Sequence, residues 1–356
     1  MGGGTGDRSL DSDADGRRIL IAHLIRDYMT WAHEHYRRGG EETGRARIKW
    51  FSLKPFLIDF GSRPCDEVTL DDLEDYQRRL DRSGRYCRRV INLYINDVLA
   101  VFRWGVRHRI NGRRYVSPGT ASDLSFIERL RRGSCQSVDH PRRLSANLED
   151  VERTIPYLPS PVQQIVRLTL LTGARPGEIR ILRPCDIKEI SPDLWEYRPG
   201  HHKTERFGGE RVIYLGPKSI AILTAEIAGF DGEPTDFLFR PRDSVRDKWI
   251  RRGHPRKKTP SRARRDAQRR AEPKRGYQMA YNGTTLSHSV RRACVKAGVE
   301  PWTPYQLRKL AATLIDRDYG VEAAAAVLGH RSTTITEGHY IDPRLKKAAE
   351  IARKFG

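Results

Sequence analysis

Apolar residues recur at helical spacing along most of this chain. Between Ile19 and Tyr36 they fall at Ile19, Ala22, Ile25, Tyr28 and Ala32, one stripe of an amphipathic helix. Arg45 to Phe60 gives a second helix, and Thr69-Leu-Asp-Asp72 is a cap with an acidic first turn for a third, ending near Gly84. Arg88 to Ile110 gives a fourth, with a wide face of Val90, Ile91, Tyr94, Ile95, Val98, Leu99, Phe102 and Val106. Four such helices over residues 17 to 112 predict a small bundle. Residues 1 to 16, rich in Gly, Asp and Ser, read as a flexible tail. Periodicity fades from 113 to 144, where Pro118, Gly119, Gly133 and a polar stretch from Ser134 to Arg143 predict an interdomain linker.

A second pattern runs from 145 to 356. Asn147-Leu-Glu-Asp150 is a helix start, and Val162 to Leu171 is apolar enough for a buried helix. Leu194-Trp-Glu-Tyr-Arg198 and Arg211-Val-Ile-Tyr-Leu215 alternate as strands do. Helical spacing resumes at Leu286 to Ala297, Tyr305 to Asp318 and Val321 to Leu328. The expected architecture is mainly α with a small antiparallel β-sheet, in two domains.

Charge changes what such a chain is expected to touch. Its 356 residues carry a formal net charge of +21, an excess that favours a polyanion through counterion release. A membrane is the competing polyanion, but no apolar run approaches the roughly 18 residues of a spanning helix. The N-terminus also lacks a signal-peptide core. The reading is of a soluble, cytoplasmic, DNA-associated protein with no membrane partner. Five scattered cysteines without a Cys-x-x-Cys pair suggest neither a disulfide framework nor zinc, and His201-His202 lacks companions at ligand spacing, so no metal is expected.

The charge is uneven. Residues 241 to 276 hold 15 Lys and Arg against 4 Asp and Glu, so this insertion supplies +11 of the total. It reads as a flexible arm along phosphates, with Arg256, Lys257 and Lys258 at its centre, and a solvated loop is the alternative. In the first domain Lys49, Lys54, Arg88 and Arg89 are the basic residues where DNA-backbone contacts are sought.

Five polar residues of the second domain suit phosphodiester chemistry without a metal. Arg175 and Arg308 each stand at a helix start, and two guanidiniums from separate elements can neutralise charge on a pentacoordinate phosphorus. Lys203 can protonate a departing 5′ oxygen. His330 can donate to a phosphate oxygen, and the Tyr340 hydroxyl can attack phosphorus to leave a covalent phosphotyrosine. Glu178 is placed to buttress Arg175.

These residues stand in Thr172-Gly-Ala-Arg-Pro-Gly-Glu178, His202-Lys-Thr204 before Arg211-Val-Ile-Tyr-Leu215, Tyr305-Gln-Leu-Arg308, Leu328-Gly-His330 and Tyr340. In that order they resemble the tyrosine recombinase, or phage integrase, family. The resemblance is strong over 145 to 356 and rests on helical pattern before that. It implies a two-domain DNA clamp, a helical core-binding (SAM-like) half and a catalytic half. It also implies strand cleavage and rejoining through a 3′-phosphotyrosine without a cofactor. The partners implied are double-stranded DNA and a synaptic tetramer of this chain, with room for an accessory DNA-bending protein. The tail from Pro343 onward would dock on a neighbouring protomer.

Two positions depart from the family pattern. Tyr305 stands where the family has histidine, and His339 falls at the usual nucleophile spacing, with Tyr340 one residue later. A one-residue bulge before Gly338 restores the register, while Tyr305 and His339 enter as further candidates. A catalytically impaired DNA-binding relic or accessory protein of the same fold is the alternative function.

Overall fold

A computed structural model describes residues 18–38, 40–141, 143–200, 210–244, 279–330, 332–334 and 336. The chain divides into two units, Met1–Arg142 and Arg143–Gly356.

In the first unit α1 (Ile21–His35) buries Ile21, Leu24, Ile25, Tyr28 and Ala32. The apolar stripe predicted through Ala22 is thus centred on Ile21 and Leu24. A short hairpin, β1 (Arg37–Arg38) with β2 (Glu41–Glu42), pairs Arg37 with Glu42 and leads into α2 (Arg45–Phe60). The Thr69 hydroxyl caps α3 (Leu70–Arg82), accepting from the Asp72 amide at 3.3 Å, and Asp72 returns the contact by accepting from the Thr69 amide at 2.9 Å. Such reciprocal caps satisfy two otherwise orphaned donors.

The fourth helix, α4 (Arg88–Arg107), is the axis of this core and buries Ile91, Ile95, Val98, Val101 and Phe102. It ends three residues earlier than its periodicity predicts. Asn111 and Gly112 take φ of +48° and +79°, folding β3 (Arg109–Ile110) back on β4 (Arg113–Arg114) in a two-residue hairpin. Positive φ at both turn positions is what Asn-Gly supplies at least cost, and it outcompetes one more turn of helix.

The linker expected at 113 to 144 is corrected by this unit. Tyr115, Val116, Leu124 and Ile127 are buried in the first core, with α5 (Pro118–Leu124) packed on α4. Beyond it the chain is held by side chains of the bundle. Asn92 both donates to and accepts from the Leu130 backbone, at 3.1 and 3.0 Å, and Asp81 accepts from the Gln136 and Ser137 amides. A segment whose polar groups are met by partners some 40 to 55 positions away has no periodicity of its own to read.

In the second unit Asn147 caps α6 (Leu148–Thr154), as its sequence predicts. Buried α7 (Ser160–Thr172) ends at Gly173, and one turn, α8 (Pro176–Ile179), follows. Three antiparallel strands, β5 (Ile187–Ser191), β6 (Leu194–Tyr197) and β7 (Ile213–Leu215), lie in that order. Pairing Tyr197 with Ile213 and Trp195 with Leu215 turns Tyr197, Ile213 and Leu215 inward. The mostly exposed β5 lacked the alternation that marked its neighbours. After α9 (Pro217–Ala228) come α10 (Gly283–Ala297) and α11 (Pro304–Leu328), which bends at Gly320 where φ is +87°. That bend explains why two apolar patterns, broken between 318 and 321, were read as separate helices. Among the described residues no helix is long and apolar enough to cross a membrane.

Candidate active site

The site assembles where the end of α7 meets both the end and the start of α11. The α7 helix stops at Gly173, in the left-handed region at φ +62°, and α11 stops at Gly329, at φ +67°. Both conformations favour glycine. Each stop leaves carbonyl oxygens without helical partners, and Arg308 takes one from each helix end. Its Nη1 donates to Gly173 O at 2.7 Å and its Nη2 to Leu328 O at 2.8 Å. Arg308 is 0% exposed. The Thr-Gly-Ala-Arg and Leu-Gly-His motifs are therefore drawn together by one guanidinium.

Arg308 reaches this place because Thr303 and Gln306 form a capping box that starts α11, with Pro304 in its first turn. Tyr305 lies one turn earlier on the same helix and is 49% exposed. Arg308 Nη2 also lies 3.0 Å from His330 Nε2. Arginine can only donate, so that nitrogen accepts, and the ring proton sits on Nδ1, which faces Thr336 Oγ1 at 2.8 Å. His330 is thus oriented on both sides of its ring.

Arg175 opens α8 and is tied to Glu178. Its Nη1 donates to Glu178 Oε1 at 2.7 Å and its backbone amide to Oε2 at 2.9 Å. The arginine side chain is 22% exposed and the carboxylate 4%. Tyr197 donates its hydroxyl to Glu178 O at 2.7 Å, which fixes α8 on the sheet. A third guanidinium, Arg211, lies 3.6 Å from Glu178 and is 7% exposed. Burial alone would push the Glu178 carboxyl up, but Arg211 and Arg175 hold it below the ordinary glutamate range. Three guanidiniums against one carboxylate leave the cluster strongly positive, suited to an anion that gains charge in a transition state.

Arg175, Arg308, His330 and Glu178 are thus brought into one neighbourhood. Arg211 was read only as the start of a strand, and no spacing rule marks a residue that reaches the site from β7. Lys203, His339, Tyr340, Arg256, Lys257 and Lys258 lie outside the described residues.

In the first unit the proposed DNA contacts separate. Lys49 is turned inward and pairs with buried Asp97, which also accepts from Ser52 at 2.5 Å. Arg88 is bound to Asp139 at 2.9 Å and to Leu130 O at 3.2 Å, which holds the 130–139 segment on the bundle. Each of these two cations already faces a carboxylate within the unit. Lys54 and Arg89 are exposed.

The model of the phage integrase family matches residues 149–347. No curated protein sequence matches. Among solved structures, a lambda integrase dimer bound to a COC' core site superposes with a TM-score of 0.62 at 14% identity, over 92% of this chain and 79% of that one. The Tn1549 transposon integrase in complex with transposon right end DNA gives 0.59 at 15% identity, over 94% and 99%. XerH site-specific recombinase, in a post-cleavage complex with palindromic difH substrate, gives 0.51 at 16%, over 86% and 78%. At these identities the superpositions establish the fold, and the matched family model covers more than half of the sequence. With its arginines, glutamate and histidine gathered at two helix ends, this chain belongs to the phage integrase family of tyrosine recombinases.

Proposed function

We propose that this protein is a site-specific DNA recombinase that cleaves and rejoins strands through a 3′-phosphotyrosine on Tyr340. The observation that carries the reading is the Arg308 network, which joins the Gly173 turn beside Arg175 to the Leu328-Gly-His330 turn. In this reading Arg175, the more exposed of the two, meets the scissile phosphate directly. Arg308 supplies buried positive charge behind it, and His330 is held beside that guanidinium at the end of α11. The Tyr340 oxygen attacks phosphorus as its hydroxyl proton passes to water, the bond to the 5′ oxygen breaks, and Lys203 delivers the proton that this leaving oxygen needs. Reversal by another strand's 5′ hydroxyl reseals DNA without an external energy source. The DNA-bound dimer and tetramer of lambda integrase support a duplex partner and assembly of several protomers here.

The test is cleavage of a nicked suicide substrate carrying the target site. Tyr340→Phe should abolish the covalent adduct and leave DNA affinity nearly unchanged. Tyr305, in the position where the family has histidine, favours a second reading, a relic that binds DNA without chemistry. Absence of adduct from the unaltered protein on its own site would select that reading.

A further inference from the structure

Arg211 is the residue that the recombinase reading leaves without a task. It stands just before β7, and its side chain runs inward rather than toward solvent. Its Nε is 3.6 Å from Glu178 Oε2, an ion pair longer than a hydrogen bond, and its Nη1 is 3.5 Å from Val327 O. The guanidinium lies against Gly329, where a Cβ would collide with Nη1. Both Nε and Nη2 are buried and make no hydrogen bond among the described residues. Burying a charge with unmet donors is costly, and a well-packed apolar side chain would serve stability better.

We propose that Arg211 is a positioning residue for cleavage, holding Glu178 as a carboxylate so that Glu178 fixes Arg175, while bracing the turn that presents His330. The proposal rests on the recombinase reading above and extends it to a residue outside the five-member array. Its geometry explains two things at once. The carboxylate is shared between Arg175, which caps α8, and Arg211, just before β7, so displacement of one disturbs the other. The contact with Gly329 sets the α11 end, one residue before His330, against the same guanidinium.

The charged and titratable groups around Glu178 are Arg175 on its own turn, Arg211 from the sheet and Tyr197 from β6. Arg308 from α11 acts on Arg211 as a like charge. Arg211 is the largest influence opposing the burial that raises Glu178. Without it the carboxyl must titrate higher, and a protonated Glu178 no longer holds Arg175. Activity lost this way returns as pH rises, because deprotonation restores the partner.

The experiment is single-turnover adduct formation on the suicide substrate at saturating DNA, across about pH 5.5 to about 8.5. The unaltered protein, Arg211→Met, Arg211→Lys, Glu178→Gln and the Glu178→Gln/Arg211→Met pair are compared. Arg211→Met should lose about 100-fold at the acid end and recover at least about tenfold toward the alkaline end, relative to the unaltered protein. Arg211→Lys, which restores a positive charge, should bring back the unaltered pH profile. In the Glu178→Gln background Arg211→Met should show no added pH dependence and cost much less than in the unaltered background, the remainder being the lost brace at Gly329. If Arg211→Met does not fold, folding of the pair would still support the proposal, because it removes both charges together. Failure of the pair to fold as well would overturn it, leaving Arg211 as packing. A folded Arg211→Met with the unaltered pH profile, or losses that simply add in the pair, would also overturn it. No adduct from the unaltered protein would instead sink the recombinase reading itself.

Discussion

Arg308 and Arg175 carry the same group and do different physical work. Arg308 donates to two buried carbonyls at helix ends and to a half-buried histidine, so its removal strands the two carbonyl acceptors at about 1–3 kcal/mol each. Arg308→Ala should therefore lower thermal stability by several degrees as well as abolish cleavage. Arg175 is partly exposed and shares its carboxylate with Arg211, so Arg175→Ala should leave stability within about 1 kcal/mol and cost cleavage about 100- to 1000-fold. Thermal melts beside single-turnover cleavage check the pair, and equal stability losses would contradict it. Glu178 sets the acid limit of this arrangement. Its carboxyl is held below the glutamate range, so its ion pairs are complete above that range and are lost only as pH falls through the depressed value. The residue types of the site were legible from the sequence because order and local motif identify them. The burial of Arg308 was not, since it depends on where α7 stops and on where α11, bent at Gly320, brings its own end back to its start.

Helix ends are the elements on which this site depends. Gly329 ends α11 at positive φ and also faces the Arg211 guanidinium, so Gly329→Ala meets backbone strain and a collision together. Strain of this kind alone costs of order 1–3 kcal/mol. Gly298 ends α10 at nearly the same φ, +65°, with nothing within 4 Å of a Cβ. Gly298→Ala should therefore lower stability alone, while Gly329→Ala should lower cleavage further than its stability loss explains. Equal effects of the two substitutions on cleavage would show that the Arg211 contact is immaterial. Helices with strong local signals were legible at this scale. Arg45–Phe60 was read at its observed bounds, and the caps at Thr69 and Asn147 were read from their side chains. The α4 boundary was missed because periodicity continues through Ile110 while Asn111-Gly112 turns the chain.

At the scale of the whole molecule, the boundary between units lies near the C-terminal end of the segment read as linker, after Arg142. A fragment ending at Arg142 keeps Tyr115, Val116, Leu124 and Ile127 on the first core, and one ending at Gly112 loses all four. Each such side chain is worth about 1.5–3 kcal/mol when buried. The longer fragment should give a cooperative melt and the shorter should not, and indistinguishable melts would contradict this. The basic insertion belongs to the same scale. Its first residues are tied to the chain that follows it, with Ser244 Oγ bonded to the Tyr281 hydroxyl and Arg180 donating to Tyr281 O, so bridging Ser244 to Met279 with a short linker should spare the fold. As an arm on phosphates its loss should weaken specific and random DNA alike, lowering the log-log salt slope by about 0.9 per lost contact. An unchanged slope would make it a solvated loop. Composition made this segment conspicuous, because over half of the net charge sits in it.

The central claim is that the chain breaks DNA by making a bond to it. Denaturing separation of the protein after incubation with a nicked suicide substrate, followed by peptide mapping of the trapped adduct, tests that most directly. The account predicts a single labelled peptide carrying a 3′-phosphate on Tyr340, absent in Tyr340→Phe and strongly reduced in Arg175→Ala. An adduct mapped to Tyr305, or DNA bound at the site with no adduct at all, would contradict it.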